Sequence, residues 1–157
     1  MSRVMGSVFL KIISYYESCD RAHWLGEIGK CGWRAGAFLY ELLTEERFFD
    51  TVGEGSELLL LTDNDRLVSF CTFAERDEID TNLSPWIGFV YTFPEYRGHR
   101  YAGLLFAGIA ETAKARGIPK VFVSTDHIGL YEKYGFEYIT DMKSIYGNMA
   151  RVYVINA

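Results

Sequence analysis

PEYRGHRYAGLL, residues 94–105, is the stretch on which the reading of this chain turns. A proline leads, two arginines and several small residues follow, and an apolar run then begins. From there Tyr101, Leu104, Leu105, Gly108, Ile109 and Thr112 recur on one face of a helix, which Gly117 and Pro119 stop. Upstream, Trp86 to Phe93 reads as a strand that Pro94 ends. A strand, a tight loop and a helix leave the backbone N–H groups of residues 98 to 103 at a helix N-terminus without partners inside the helix. The positive end of the helix dipole lies beside them, which suits phosphate oxygens. Gly98, Ala102 and Gly103 are small enough to let a ligand approach the backbone, and Arg97 and Arg100 add charge. The spacing matches neither GxxxxGKS/T nor GxGxxG, so neither of those phosphate loops is present. A basic turn that merely caps a helix is the competing reading.

Outward from this loop the periods alternate. Val8 to Tyr15 reads as a strand, and Asp20 to Ile28 and Trp33 to Phe49 as helices, the second stopped by Gly53-Glu54-Gly55. Leu58 to Thr62 and Arg66 to Ala74 read as strands around an Asp63-Asn64-Asp65 turn. Beyond the central helix come a short strand at Val121 to Val123, a short helix from His127 to Tyr134 closed by Gly135, and strands from Phe136 and from Ile145 onward. No repeat or linker interrupts this, so one mixed α/β domain is expected over residues 1–157.

Composition narrows the function classes. A net charge of −5 argues against a nucleic-acid binder that relies on phosphate neutralisation. Residues 41–80 hold twelve acids against three arginines, whereas residues 94–120 hold five Lys/Arg against two Glu. One face for a cation and another for an anion would follow, though solvated surface explains the same numbers. Three cysteines without a CxxC pair suit a reduced cytoplasmic protein. Cys19, His23 and Cys31 lack a fourth ligand, so thiol packing is favoured and no metal is expected. The run Val8-Phe9-Leu10 is broken by Lys11, which leaves no membrane span.

The loop and its helix, then KVFVST (120–125) and HIGLYEKYGFEYI (127–139), resemble the GNAT family of acetyl-CoA-dependent N-acetyltransferases. In that family an R/Q-x-x-G-x-G/A loop wraps the CoA pyrophosphate, and a later Y-x-K-x-G-F segment brings a tyrosine to the CoA sulfur. Arg97 takes the first loop position and Ala102 the last; Tyr131, Lys133, Gly135 and Phe136 match the second motif. The resemblance implies a mixed, mostly antiparallel central sheet flanked by helices, with a splay between its two central strands. Two positions depart. Arg100 stands where the family usually has glycine, and the family's asparagine before the tyrosine falls on Ser124, with Thr125 and Asp126 as neighbours.

The implied chemistry assigns roles. Acetyl-CoA would be held by the loop Arg97, Gly98, His99, Arg100, Tyr101, Ala102 and Gly103. Its pantetheine would run along Phe89 to Thr92, touching Val90, Tyr91 and Thr92, with Ser124, Thr125 and Lys133 opposite. A backbone N–H near Thr92 would meet the developing oxyanion. Tyr131, protonated at neutral pH, would donate to the departing sulfur. Glu75 or Asp77 would take the proton from the amine. Cys71 as a covalent carrier has no paired His nearby in sequence, so direct transfer in a ternary complex is expected. Trp33, Trp86, Phe89 and Tyr91 are candidate walls for the acceptor, although aromatics on strands also build cores. The expectation is a cytoplasmic N-acetyltransferase acting on a small-molecule or peptide amine, cationic by the acidic segment, with a homodimer as a candidate assembly. A CoA-binding sensor without catalysis is the alternative.

Overall fold

The computed structural model describes residues 8–157; residues 1–7 of the expected domain lie outside the described residues. In chain order come β1 (Leu10–Ser14), α1 (Arg21–Ile28), α2 (Arg34–Thr44) and α3 (Phe48–Val52). Then follow β2 (Glu57–Asp63), β3 (Arg66–Ala74), β4 (Trp86–Thr92), α4 (Ala102–Ala115) and β5 (Lys120–Thr125). β6 (Glu137–Lys143) and β7 (Met149–Asn156) end the chain, and short 3-10 turns sit at Tyr15–Glu17, Pro94–Tyr96 and Tyr131–Tyr134. The strands form one sheet in the order β1-β2-β3-β4-β5-β7-β6. Among the described strands only β4 and β5 run parallel, as strands joined through a crossover helix do. The mixed, mostly antiparallel sheet flanked by helices is therefore observed.

Strand alternation divides the core between the two faces of the sheet. Against one face, α1 to α3 bury Trp24, Ile28, Leu39, Leu42 and Phe48 on Leu58, Leu60 and Phe70. Against the other, α4 buries Leu105, Phe106 and Ile109 on Leu61, Val68, Ile87, Val121 and Val123. Trp86 and Phe122 return to the first face, where Ile79 of the β3–β4 connection covers them.

Most boundaries shift by a residue or two from the sequence reading, and three differ by more. The helix expected from Trp33 to Phe49 ends at Thr44, because the Arg47 and Glu46 N–H groups fold back onto the Leu42 and Leu43 carbonyls. Glu46 takes φ +55° there, the left-handed residue of a Schellman-type end. The chain then turns and drives Phe48 into the core. The helix expected over His127 to Tyr134 shrinks to the 3-10 turn, closed by Gly135 at φ +88°. The last strand starts at Met149 rather than Ile145, since Ser144 and Asn148 close a turn through Ser144 N–H to Asn148 O at 2.8 Å. No helix among the described residues is long and apolar enough to cross a membrane.

Candidate active site

The site begins where β4 and β5 part. Their pairing consists of Trp86 with Phe122 and Ile87 with Val123, and nothing beyond. From Gly88 to Thr92 the β5-facing edge of β4 therefore has no strand partner. On its other edge β4 carries a bulge, because Phe70 pairs with Tyr91 while Thr72 pairs with Gly88. Cys71 thus faces both Phe89 and Val90, and Phe89 takes φ +48° to absorb the extra residue. A bulge bends the strand and leaves backbone polar groups outside the ladder, so the gap is lined with unpaired main chain.

The 94–105 loop closes the far end of β4. Among the described residues, the N–H groups of Gly98, His99, Arg100, Tyr101 and Ala102 donate to no acceptor in the chain. Gly103 leaves the expected set, because its N–H bonds back to Arg100 O at 3.0 Å. Gly98 sits at φ +88°, and a Cβ built there would meet nothing within 4 Å, so the loop is open to a ligand. The donor set and the open backbone fit a pyrophosphate. Arg97 does not point into this nest: its Nε donates to Thr92 O at 2.9 Å and its guanidinium lies 5.3 Å from the Tyr91 ring. Arg100 is exposed and stands at φ +58°. His99 stacks on Tyr101 at 5.0 Å. Lys133 is exposed on the 3-10 turn.

Two titratable side chains approach the gap from opposite faces. Tyr131, only 6% exposed, belongs to the α4-side core with Cys71, Phe106 and Phe136. Its hydroxyl has no hydrogen-bond partner among the described residues. Burial, then the neighbouring Cys71 and Asp77, push that phenol well above its ordinary range. Ser124 alternates with Val123 and so faces the other side, where its Oγ donates to Asp77 Oδ2 at 2.6 Å. A Cβ on Gly88 would meet Asp77 Oδ1 and Thr72 Oγ1 at 3.0 Å each, so the carboxylate rests directly over β4. Burial raises the Asp77 pKa, against the lowering effect of the Ser124 and Glu78 hydrogen bonds. Glu78 is raised as well, by burial and then by Asp77 and Asp126.

The other candidates are placed differently. Glu75 is exposed and lines a cavity of about 440 Å³ with Gly55, Ser84, Pro85 and Arg116, at the start of β4 rather than at the gap. Thr125 Oγ1 accepts the His127 N–H at 3.0 Å. Cys71 is fully buried, and desolvation pushes its thiol up, which disfavours the thiolate a covalent carrier needs. His23 Nε2 bonds to Asp65 O at 2.6 Å, and no group of three or more His, Cys, Asp or Glu suited to a metal stands among the described residues. Trp33 stacks on Tyr91 at 5.5 Å and 10°, and Phe38 lies 6.2 Å from Phe89, so these aromatics form a wall beside the bulge. Trp86 is core.

The model of the acetyltransferase (GNAT) family matches residues 22–136. The chain belongs to the GNAT family. Over 98 residues, 59% of this chain, it is 31% identical to the mycothiol acetyltransferase of Brachybacterium faecium. It spans only 30% of that relative's length. A GNAT acetyltransferase from Desulfovibrio desulfuricans superposes with TM-score 0.66 at 14% identity, over 94% of this chain and 99% of the other. A GNAT acetyltransferase from Elizabethkingia anophelis, solved with acetyl-CoA bound, gives 0.62 at 15% identity over 94% and 98%. At such identities the two structures establish the fold.

For this GNAT chain the sequence motifs located the loop and Tyr131, but not the Asp77–Ser124 contact or the bulge at Phe89. Gly88 was the available signal. A lone glycine inside a strand marks a bulge or a close approach, and here it marks both.

Proposed function

We propose that this GNAT chain moves an acetyl group from acetyl-CoA to a primary amine by direct attack in a ternary complex. The observation that carries the reading is a pair of unpaired main-chain stretches on one strand–loop–helix unit. The first is the free edge of β4 from Gly88 to Thr92 and the second the unpartnered N–H groups of residues 98–102. An extended thioester arm needs the first, and a pyrophosphate the second. When bound, acetyl-CoA supplies the activated acyl group. The N–H groups of 98–102 would hold the phosphates, with Arg100 adding charge. Arg97 would keep the loop against β4 through Thr92. Backbone donors at the Phe89–Val90 bulge would face the acyl oxygen. Tyr131, kept protonated by burial, would hold the proton that the departing sulfur needs.

The acceptor in this reading is a small cationic amine. Asp77, Glu78 and Asp126 set a negative field on the face of the gap opposite Tyr131, and the Trp33, Phe38, Phe89 and Tyr91 wall adjoins β4 on that face. The test is CoA release from acetyl-CoA with putrescine, spermidine, glucosamine and a lysine peptide. Turnover is expected with at least one amine, and Tyr131→Phe should lower kcat roughly ten- to a thousand-fold while CoA affinity stays within a few-fold. Tight CoA binding without turnover on any amine would replace the enzyme by a sensor.

A further inference from the structure

A carboxylate stands at the one point where the sheet opens. Asp77 comes from the β3–β4 connection, not from a strand, yet its Oδ2 takes a 2.6 Å hydrogen bond from Ser124 of β5 while Oδ1 lies over Gly88 of β4. Gly88 and Ser124 are the residues that follow the last paired positions, Ile87 and Val123. Asp77 therefore spans the mouth of the gap. It stands on the face opposite Tyr131, whose ring packs with α4. Direct transfer suits this division: the amine attacks one face of the planar acyl carbon, its base must stand on that side, and the sulfur in the thioester plane is met by a separate donor. Gly88 eases the approach, since a Cβ there would crowd the carboxylate at 3.0 Å.

We propose that Asp77, aimed by Ser124, is the group that takes the proton from the attacking amine. The inference rests on the acetyl-transfer reading above. In the balanced step, a protonated amine gives one proton to the Asp77 carboxylate and regains its lone pair. Nitrogen bonds to the acyl carbon as the carbon–sulfur bond breaks, with its electron pair left on sulfur. Sulfur takes the Tyr131 proton, the new amide nitrogen returns its extra proton to the Tyr131 oxygen through water, and Asp77 releases its proton to solvent. One proton is liberated for each amide formed.

The surroundings suit a base. Facing Asp77 are the Ser124 hydroxyl from β5, Thr72 from β3, Gly88 from β4, Glu78 beside it, and the Tyr131 phenol across the gap, with Asp126 beyond Glu78. No Lys, Arg or His pairs with it among the described residues. A carboxylate with acidic neighbours and no cation holds a proton more readily than an exposed one, and so is the better acceptor near neutral pH.

The experiment is a pH–rate profile for acetyl transfer to spermidine, with CoA affinity measured in parallel. Asp77→Asn should lower kcat/KM roughly a hundred- to ten-thousand-fold and remove its acid limb, with CoA affinity within about two-fold. Ser124→Ala removes a bond that lowers the Asp77 pKa, so the limb should persist and move to higher pH. A merely structural Asp77 would lower activity and CoA binding together and leave the limb in place, which would overturn the proposal. So would a limb that disappears in Glu75→Gln but survives in Asp77→Asn. If the unmodified protein acetylates no amine at all, the acetyl-transfer reading falls and this inference with it. Turnover that Asp77→Asn leaves unchanged defeats this inference alone.

Discussion

Arg100 sits at φ +58°, a conformation that residues with a Cβ seldom adopt, in the loop position where glycine is usual in the family. Its side chain is exposed, so the strain is not offset by burial. A left-handed residue of this kind costs on the order of 1 kcal/mol. A well-formed contact from its guanidinium to a phosphate contributes about 1.5–3 kcal/mol. Arg100→Gly should therefore raise the stability of the free protein by roughly 0.5–1 kcal/mol in urea melts while weakening CoA binding several-fold. Glycine binding CoA more tightly would mean that strain outweighs charge. Asp77 permits a second test. Its pKa is raised in the fold, so the folded state favours the protonated form. The stabilising contribution is fully present below the unfolded-state pKa and is lost as pH rises through the folded value. Asp77→Asn should thus melt higher than the parent at pH 7.5, and the gap should close as the buffer is taken down toward pH 4. A gap that stays constant across that range would show that the charge is not what costs stability. The oddity of Arg100 was legible in the sequence because the motif fixes its neighbours. The Asp77–Ser124 bond was not, because 47 residues separate the partners and only the folded sheet brings them together.

At the scale of elements, strands and the central helix were legible where the periods are strong. Arg66–Ala74 matches its reading residue for residue, since a strand buried along nearly its whole length carries a mostly apolar run, interrupted by Ser69 and Thr72. The break between α2 and α3 was not legible, because apolar residues resume at Phe48 and Phe49 after Thr44-Glu45-Glu46-Arg47 and no glycine marks the end. Tertiary burial of Phe48, 1% exposed, stabilises the turn and forces Glu46 into φ +55°. Glycine at that position should relieve the strain: Glu46→Gly is expected to raise the unfolding free energy by about 0.5–1 kcal/mol, and Glu46→Val to lower it by at least as much. Denaturant midpoints at equal m-value would show it. A destabilised Glu46→Gly would mean that the Glu46 side chain, not the backbone, holds the junction. The bulge in β4 belongs to the same class: its position depends on how β3 pairs across it, which no local period records.

Across the whole molecule, the two halves of the proposed CoA site hang from different strands and meet on the α4 side of the sheet, where Tyr131 and Tyr134 pack against Phe106. The loop hangs from the end of β4 and the start of α4, whereas Tyr131 hangs from the turn after β5. A ligand running from one to the other would tie α4, β4 and β5 together and leave α1 to α3 untouched. By mass action, a ligand at a hundred times its dissociation constant adds about 2.7 kcal/mol to the folded state. In a domain of this size 1 kcal/mol moves Tm by about 2–4 °C, so saturating acetyl-CoA should raise Tm by roughly 5–10 °C. Global stabilisation alone would not locate the site, but amide exchange would. Exchange should slow most at Gly98 to Ala102, whose N–H groups have no partner within the chain, and along Gly88 to Thr92. The α1 to α3 amides should change only as far as the global shift requires. Protection concentrated instead around Gly55, Glu75 and Arg116, where the 440 Å³ cavity lies, would place the ligand at the wrong end of β4 and refute the loop as its seat.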